Sequence, residues 1–475
     1  MSGSNTLELP RDAAAALAEP GTRRADPLAD DTITRILGRW DGCINPTGQW
    51  ATIDLVNREL ATWQNNGMLA GWSAAPDVPP DVAAALEDYV RSALHLPDWA
   101  EPAQIARAET LFFDISMMSC TLLFCASLPE CYVLPDLAGV LHAAGQLEKH
   151  TDYRVRATAA MIFPVMMKNG LTGTDGGGVA QILKVRLIHA TIRHLLLRGD
   201  PRQTLLSGAA YIEALPTAGR SMQQTLYARG WDIAQYGLPC NQQELAYTLL
   251  TFSYVYLRGL RKLGIGLSRA DEEAYLHAWN VTGHVLGIER TLMADTMEQA
   301  EKMFLQMQAD GRAISFLPDP RPDLGQALMR AMENEIPFRL LKSFPVLLTR
   351  HLCGKSATQD LALNDRVSLI SRAVFIVTLL TARAIDATVR LLLPEFSLCR
   401  LAARVLGYQF TVKLLMDQTR PLKLPTALLH ELNSVVATWH EDPKAPKWVN
   451  TLEARMTGRQ QRTGRDHTGP GDAGP

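Results

Sequence analysis

The segment Val179-Ala-Gln-Ile-Leu-Lys-Val-Arg186-Leu-Ile-His189-Ala-Thr-Ile-Arg193-His-Leu-Leu-Leu197 decides the fold class of this chain. Its apolar residues recur at three- and four-residue steps, so it reads as one long helix and not as a strand. At about 100° per residue, Arg186, His189 and Arg193 fall within roughly 60° of each other on that helix. One face thus offers an imidazole between two permanent positive charges. A haem asks this of a helix: an axial nitrogen for iron and guanidinium forks for the propionates. The same spacing also suits a hydrogen-bonded core histidine between solvated arginines, since structural networks imitate functional ones.

Outward from this helix, the pattern repeats. Ile33 to Trp40, Pro80 to Leu94, Leu134 to Leu147, Arg154 to Met167, Gln243 to Leu263 and Arg269 to Ile288 all carry helical periodicity. No convincing series of alternating strands occurs, so the expected class is all-α. The loop Thr172-Gly-Thr-Asp-Gly-Gly-Gly178 must end one helix before the His189 helix begins, because consecutive glycines forfeit too much backbone entropy inside a helix. Ser268-Arg-Ala-Asp271 fits a capping box at the start of the next long helix. Residues 1–30, rich in Ala, Pro and charge, are expected to form a flexible leader, 31–450 a single helical domain, and 451–475 a disordered tail.

Composition narrows the function classes. Of 475 residues, 47% are hydrophobic and 20% charged, enough for a large core. A formal net charge of -2 supplies no basic field for nucleic acid or an anionic membrane, so small or apolar partners are expected. Seven scattered cysteines, an odd number, form no spaced disulfide framework and read as thiols in a reducing compartment. Cys-x-x-Cys-His is absent, so a haem would be held noncovalently. Met1 to Asp31 has no apolar stretch of the kind a secretory signal needs, and the expected location is cytoplasmic. Ala373 to Ala382 is the most apolar window, too short to span a bilayer and expected to be a buried helix.

Two further clusters could carry chemistry. His277 and His284 share a helix face, while Gly283 and Gly287 allow very close packing, by a flat cofactor or simply by another helix. Arg154 and Thr158 stand one turn apart, either aimed together at a site or lying on a solvated face. The sequel from Ala159 to Met167 is strongly apolar, and Met161 and Phe163 are candidates for lining a water-excluding pocket. Zinc-hydrolase, di-iron, phosphate-loop and serine-hydrolase motifs are all missing.

Taken in order, these clusters resemble the catalytic domain shared by the latex clearing proteins (rubber oxygenases) and the mycophenolic-acid-pathway oxygenases of fungi. The match runs through Arg154-x-x-x-Thr158, the glycine loop, Arg186-x-x-His189-x-x-x-Arg193, Gly237-Leu-Pro239 with Asn241, and His277-x-Trp279-x-x-x-Gly283-x-x-x-Gly287. Asp26-Pro-Leu-Ala, Pro345 and Arg350-His351-Leu352-x-Gly354 are further echoes. The resemblance implies an all-α domain with globin-like helical packing around haem b. It implies His189 as iron ligand, with Arg154, Thr158, Arg186 and Arg193 near the haem, and dioxygen-dependent cleavage of isoprenoid-type double bonds.

Two departures bear on the chemistry. The position of a family lysine able to cap the distal iron site is Ala157, and the position of a family catalytic glutamate falls at Ala138-Gly139, with Asp136 the nearest carboxylate. The expected catalytic residues are therefore Arg154, Thr158 and Asp136, and the cofactor contacts His189, Arg186, Arg193, His277 and His284. A small lipophilic, terpenoid-like substrate is expected. A haem-binding sensor or carrier, and a helical interaction protein without cofactor, are the alternatives.

Overall fold

The computed structural model describes residues 20–38, 40, 47–143, 151–216, 221–334, 336, 342–364, 367, 369–389, 447 and 451. Around one hydrophobic core run α1 (Pro27–Leu37), α2 (Pro80–Ala93), α3 (Pro102–Asp114), α4 (Pro135–Ala143), α5 (Thr151–Met166), α6 (Gly178–Leu197), α7 (Gln242–Phe252), α8 (Tyr254–Lys262), α9 (Arg269–Val285) and α10 (Leu369–Val389), with further helical segments between them. Among the described residues the β-structure is one antiparallel pair, Tyr211–Ile212 with Trp231–Asp232. The all-α expectation holds.

The central hairpin is α5 and α6, antiparallel and joined by the glycine loop. Asn66 and Glu109 fix that loop from outside. Asn66 Nδ2 donates to the carbonyls of Gly170 and Gly173, both at 2.9 Å, and its Oδ1 accepts from Ala180 N at 3.1 Å. The Glu109 carboxylate accepts from Asn169 N and Gly170 N at 2.9 and 3.1 Å. Backbone groups that a tight loop cannot pair internally are thus satisfied by side chains. A Cβ on Gly178 would lie 3.1 Å from Val165 Cα, so the two helices start in close contact. Counting along both at 1.5 Å per residue brings Arg154 level with His189 and Thr158 level with Val185.

Several expected boundaries shift for physical reasons. The segment expected as one helix from Gln243 to Leu263 breaks at Ser253 (φ -98°, ψ -76°), whose hydroxyl donates back to Leu249 O at 2.9 Å. Such side-chain back-bonding bends helices. Within the stretch expected as leader, Asp26, Ala29 and Asp30 are buried, and residues 1–19 lie outside the described ones. The tail expected from 451 also lies outside them, apart from Thr451. The apolar window expected to be buried lies on α10, where among the window's described side chains Phe375 is buried and the others are exposed. Phe375 packs edge-on against Phe344, whereas Ile376, Val377 and Leu380 are more than half exposed. No single helix among the described residues is long and apolar enough to cross a membrane.

Candidate functional site

Asp26 and Pro27 start the site. Asp26 caps α1, with Pro27 in the first turn where no N–H is needed. Its carboxylate also receives a two-point hydrogen bond from Arg186 on α6, Nε to Oδ2 at 2.5 Å and Nη2 to Oδ1 at 2.7 Å. One turn further along α1, Asp30 faces Arg193, at 2.8 Å from Nε and 2.7 Å from Nη2. The two guanidinium forks are then completed by carbonyls. Arg186 Nη1 donates to Val285 O at 3.0 Å, and Arg193 Nη1 to Cys240 O at 2.6 Å.

Propionates were the expected partners of Arg186 and Arg193. The structure supplies Asp26 and Asp30 instead, and the Arg193 side chain is wholly buried against its carboxylate. Burial pushes the Asp30 carboxyl up to about 6 against the pull of Arg193, while both arginines stay charged. The pairs are costly to break, since a lone buried charge has no other compensation.

The segment before α1 extends this polar seam. Leu238 N donates to Thr22 O at 2.8 Å, and Gln242 N to Arg24 O at 2.9 Å. The Gln242 amide donates to Ala25 O and Gly287 O, both at 2.8 Å, and accepts from Glu289 N. Arg24 pairs with Glu289. Gly287 must be glycine here: its φ is +89°, and a Cβ would lie 2.5 Å from Asp26 Oδ2. Gly283 is approached by Leu249 Cδ2, 2.7 Å from where a Cβ would stand. The close packing expected at these glycines is therefore filled by protein side chains. The motifs Asp26-Pro, Gly237-Leu-Pro239, Asn241 and Gly287 meet at this one seam.

His189 sits at the seam's edge. Around α6, Arg193 and Arg186 lie roughly 40° and 60° to one side of it, while Val185, Ile192 and Ile188 lie roughly 40° to 100° to the other. The arginine side is buried, and the aliphatic side is half-buried to exposed, with Ile188 at 41%. His189 itself is half-buried. On the facing helix α5, Ala157 is exposed and Thr158, Ala160 and Met161 are half-buried, whereas Phe163 is buried edge-on to Phe112. The Arg154 side chain lies outside the described ones. An imidazole bordering an incompletely covered apolar strip is a donor set that fits a flat, largely apolar, iron-bearing ring.

Other expected residues lie apart. His277 and His284 hold Trp99 edge-on, ring centroids 5.7 and 5.9 Å away, with Arg290 4.9 Å from that same indole. His277 Nε2 accepts from Glu101 N at 2.9 Å. Burial lowers both histidine pKa values. Both histidines, expected as cofactor contacts, thus lie against the loop before α3. Cys353 is a partly buried thiol whose Sγ lies 3.6 Å from Cys125 O, and burial holds its pKa far above the usual thiol range.

Asp136, in the first turn of α4, is buried and accepts from Leu137 N at 2.9 Å. Burial raises its pKa to about 6. Glu244, buried in the first turn of α7, was not anticipated. Burial, then the Asp136 carboxyl, raises its pKa well above the carboxylate range, opposed by the N–H groups of Cys240 and Asn241. Two interacting buried carboxyls of this kind retain a proton near neutrality. At Gly139 the Phe316 ring lies where a Cβ would stand, so a longer side chain there has no space.

Asp30, Glu244 and His194 were missed by sequence reasoning. Asp26 and Asp30, four residues apart, match Arg186 and Arg193 in sign and in helical phase, which is the one signal that could have paired them. His194 is buried, and its Nε2 accepts from Trp40 Nε1 at 2.9 Å. An indole N–H can only donate, so that nitrogen stays unprotonated, and burial lowers the pKa to about 4.

Comparison with known proteins fits this layout. Residues 136–420 match the family described as ER-bound oxygenase mpaB/B'/Rubber oxygenase, catalytic domain, and the chain belongs to that family of oxygenases. A curated relative, the rubber oxygenase of Streptomyces sp. (strain K30), is 21% identical over 330 residues, 68% of each chain. The solved structure of latex clearing protein in the closed state shares the fold, with a TM-score of 0.54 and 16% identity, over 89% of this chain and 91% of that one.

Proposed function

We propose that this oxygenase holds haem b on α6 through the His189 imidazole and cleaves a carbon–carbon double bond in a lipophilic, isoprenoid-type compound. The observation that carries the reading is the position of His189, half-buried between a charged seam and an apolar strip on one helix. When bound, the haem would supply dioxygen binding and activation at iron. The chain's own residues supply the rest. Val185, Ile188 and Ile192 on α6, with Ala160 and Met161 on α5, offer apolar surface for ring and substrate, and exclusion of water there protects reactive species. Thr158 offers a hydroxyl on the facing helix, and Arg154 is kept as a candidate near the haem from the family resemblance alone. Asp136 and Glu244 form a buried carboxyl pair, in which burial favours the neutral form of each, and Asp136 is kept as the candidate acid–base group.

Cleavage of a double bond by one dioxygen to two carbonyl groups balances without an external reductant. We read the substrate as terpenoid-sized; the Streptomyces relative is named a rubber oxygenase. The test is aerobic incubation of the haem-loaded full chain with a linear oligoisoprenoid in labelled dioxygen. Aldehyde or ketone products, each carrying one labelled oxygen, are expected. A haem spectrum with no dioxygen uptake over a panel of such substrates would favour a carrier or sensor instead.

A further inference from the structure

We infer that Asp26 and Asp30 are positioning residues that set the rotation of α6 and so aim His189. The inference rests on the reading of His189 as iron ligand. Arg186 lies one turn before His189 and Arg193 one turn after it, so the two forks bracket the imidazole over about 10 Å of helix. Both forks end on the first turn of α1, where Asp26 N in turn donates to Asp30 Oδ2 at 3.2 Å. A single ion pair would let a helix swivel about the contact. Two such attachments, at 2.5–2.7 Å and 2.7–2.8 Å, remove that freedom.

Further ties act in the same sense. Val285 O and Cys240 O hold the outer nitrogens, which anchors the clamp to the ends of α9 and the start of α7. A rotation of α6 by a single residue, about 100°, would carry His189 from the apolar strip into the seam. Losing a group hydrogen-bonded to a metal ligand weakens metal retention by roughly tenfold or more; Asp26 and Asp30 act one step further out, through the arginines that flank His189.

Asparagine variants keep the volume of each side chain and remove the charge. In the haem-loaded full chain, Asp26→Asn and Asp30→Asn should speed transfer of haem to excess apomyoglobin by about tenfold and broaden the ferric electron-spin-resonance signal. Glu130→Gln is the control. It breaks the buried pair with Arg258, 2.6 Å apart on other helices, and should lower the thermal midpoint while leaving haem transfer and the spectrum unchanged. Should Asp30→Asn fail to fold, Arg186→Lys on the less buried pair keeps the charge but not the fork, and the same spectral change is expected. Asp variants that lower the midpoint as Glu130→Gln does, with wild-type transfer rate and spectrum, would overturn the clamp. His189→Ala separates this outcome from failure of the haem reading: if His189→Ala alone alters iron ligation, only the clamp is wrong, and if His189→Ala leaves it unaltered, the ligand assignment is wrong.

Discussion

Helices α6 and α9 carry the same ingredients, histidines at helical spacing beside arginine or glycine, yet they come to opposite uses. On α9, His277 and His284 turn to the protein edge and grip Trp99, each accounted for by an indole or a loop N–H. On α6, Arg186 and Arg193 pair with Asp26 and Asp30, and the half-buried His189 lies between those arginines and the aliphatic Val185, Ile188 and Ile192 around the helix. Spacing tells which residues share a face. What that face meets depends on chain segments more than 150 residues away, and that meeting decides whether a histidine docks a loop or is available to a cofactor.

The contrast can be broken in graded steps. Arg193→Ala strands Asp30 without a partner and should cost roughly 3–5 kcal/mol in urea unfolding. The His194 environment predicts a pH effect of about 3 kcal/mol at most. Its folded pKa, about 4, lies below the unfolded value, so between about pH 6.5 and 4 the unfolded chain takes up a proton that the fold refuses. Stability is thereby lost as pH falls through that window. Asp30 and Asp136, raised to about 6, act in the opposite sense, so the effect is read as the difference from His194→Asn, which should shrink on acidification. Gly287→Ala forces a left-handed backbone and a contact with Asp26, and should cost about 2 kcal/mol by the same assay. His277→Ala should cost about 1 kcal/mol, from the lost acceptor for Glu101 N, and leave haem content unchanged.

Local features were legible in the sequence. α6 runs from Gly178 to Leu197, starting one residue before its expected start, and the Ser268–Asp271 capping box is present. Helical phase and capping depend on neighbours within four residues, so periodicity reports them. The partners were not legible. Asp26 and Asp30 stood in a stretch read as leader, because charge and proline suggest disorder until a buried arginine claims the charge. The break at Ser253, where the hydroxyl bonds back to Leu249 O, was hidden inside an unbroken apolar pattern. Glu244 looked like an ordinary first-turn carboxylate, and its burial beside Asp136 depends on tertiary packing. The position of the family glutamate, read as Ala138-Gly139, is filled by Phe316, a residue from far along the chain.

The account depends most on His189, and its visible spectrum is the most direct test. Wild type, His189→Ala, His277→Ala and His284→Ala are to be purified with added haem and compared for bound haem and Soret position. The account predicts that His189→Ala alone loses the wild-type Soret band and most of its haem, with the two α9 variants indistinguishable from wild type. An unchanged spectrum in His189→Ala, or the loss appearing in His277→Ala or His284→Ala instead, would contradict it.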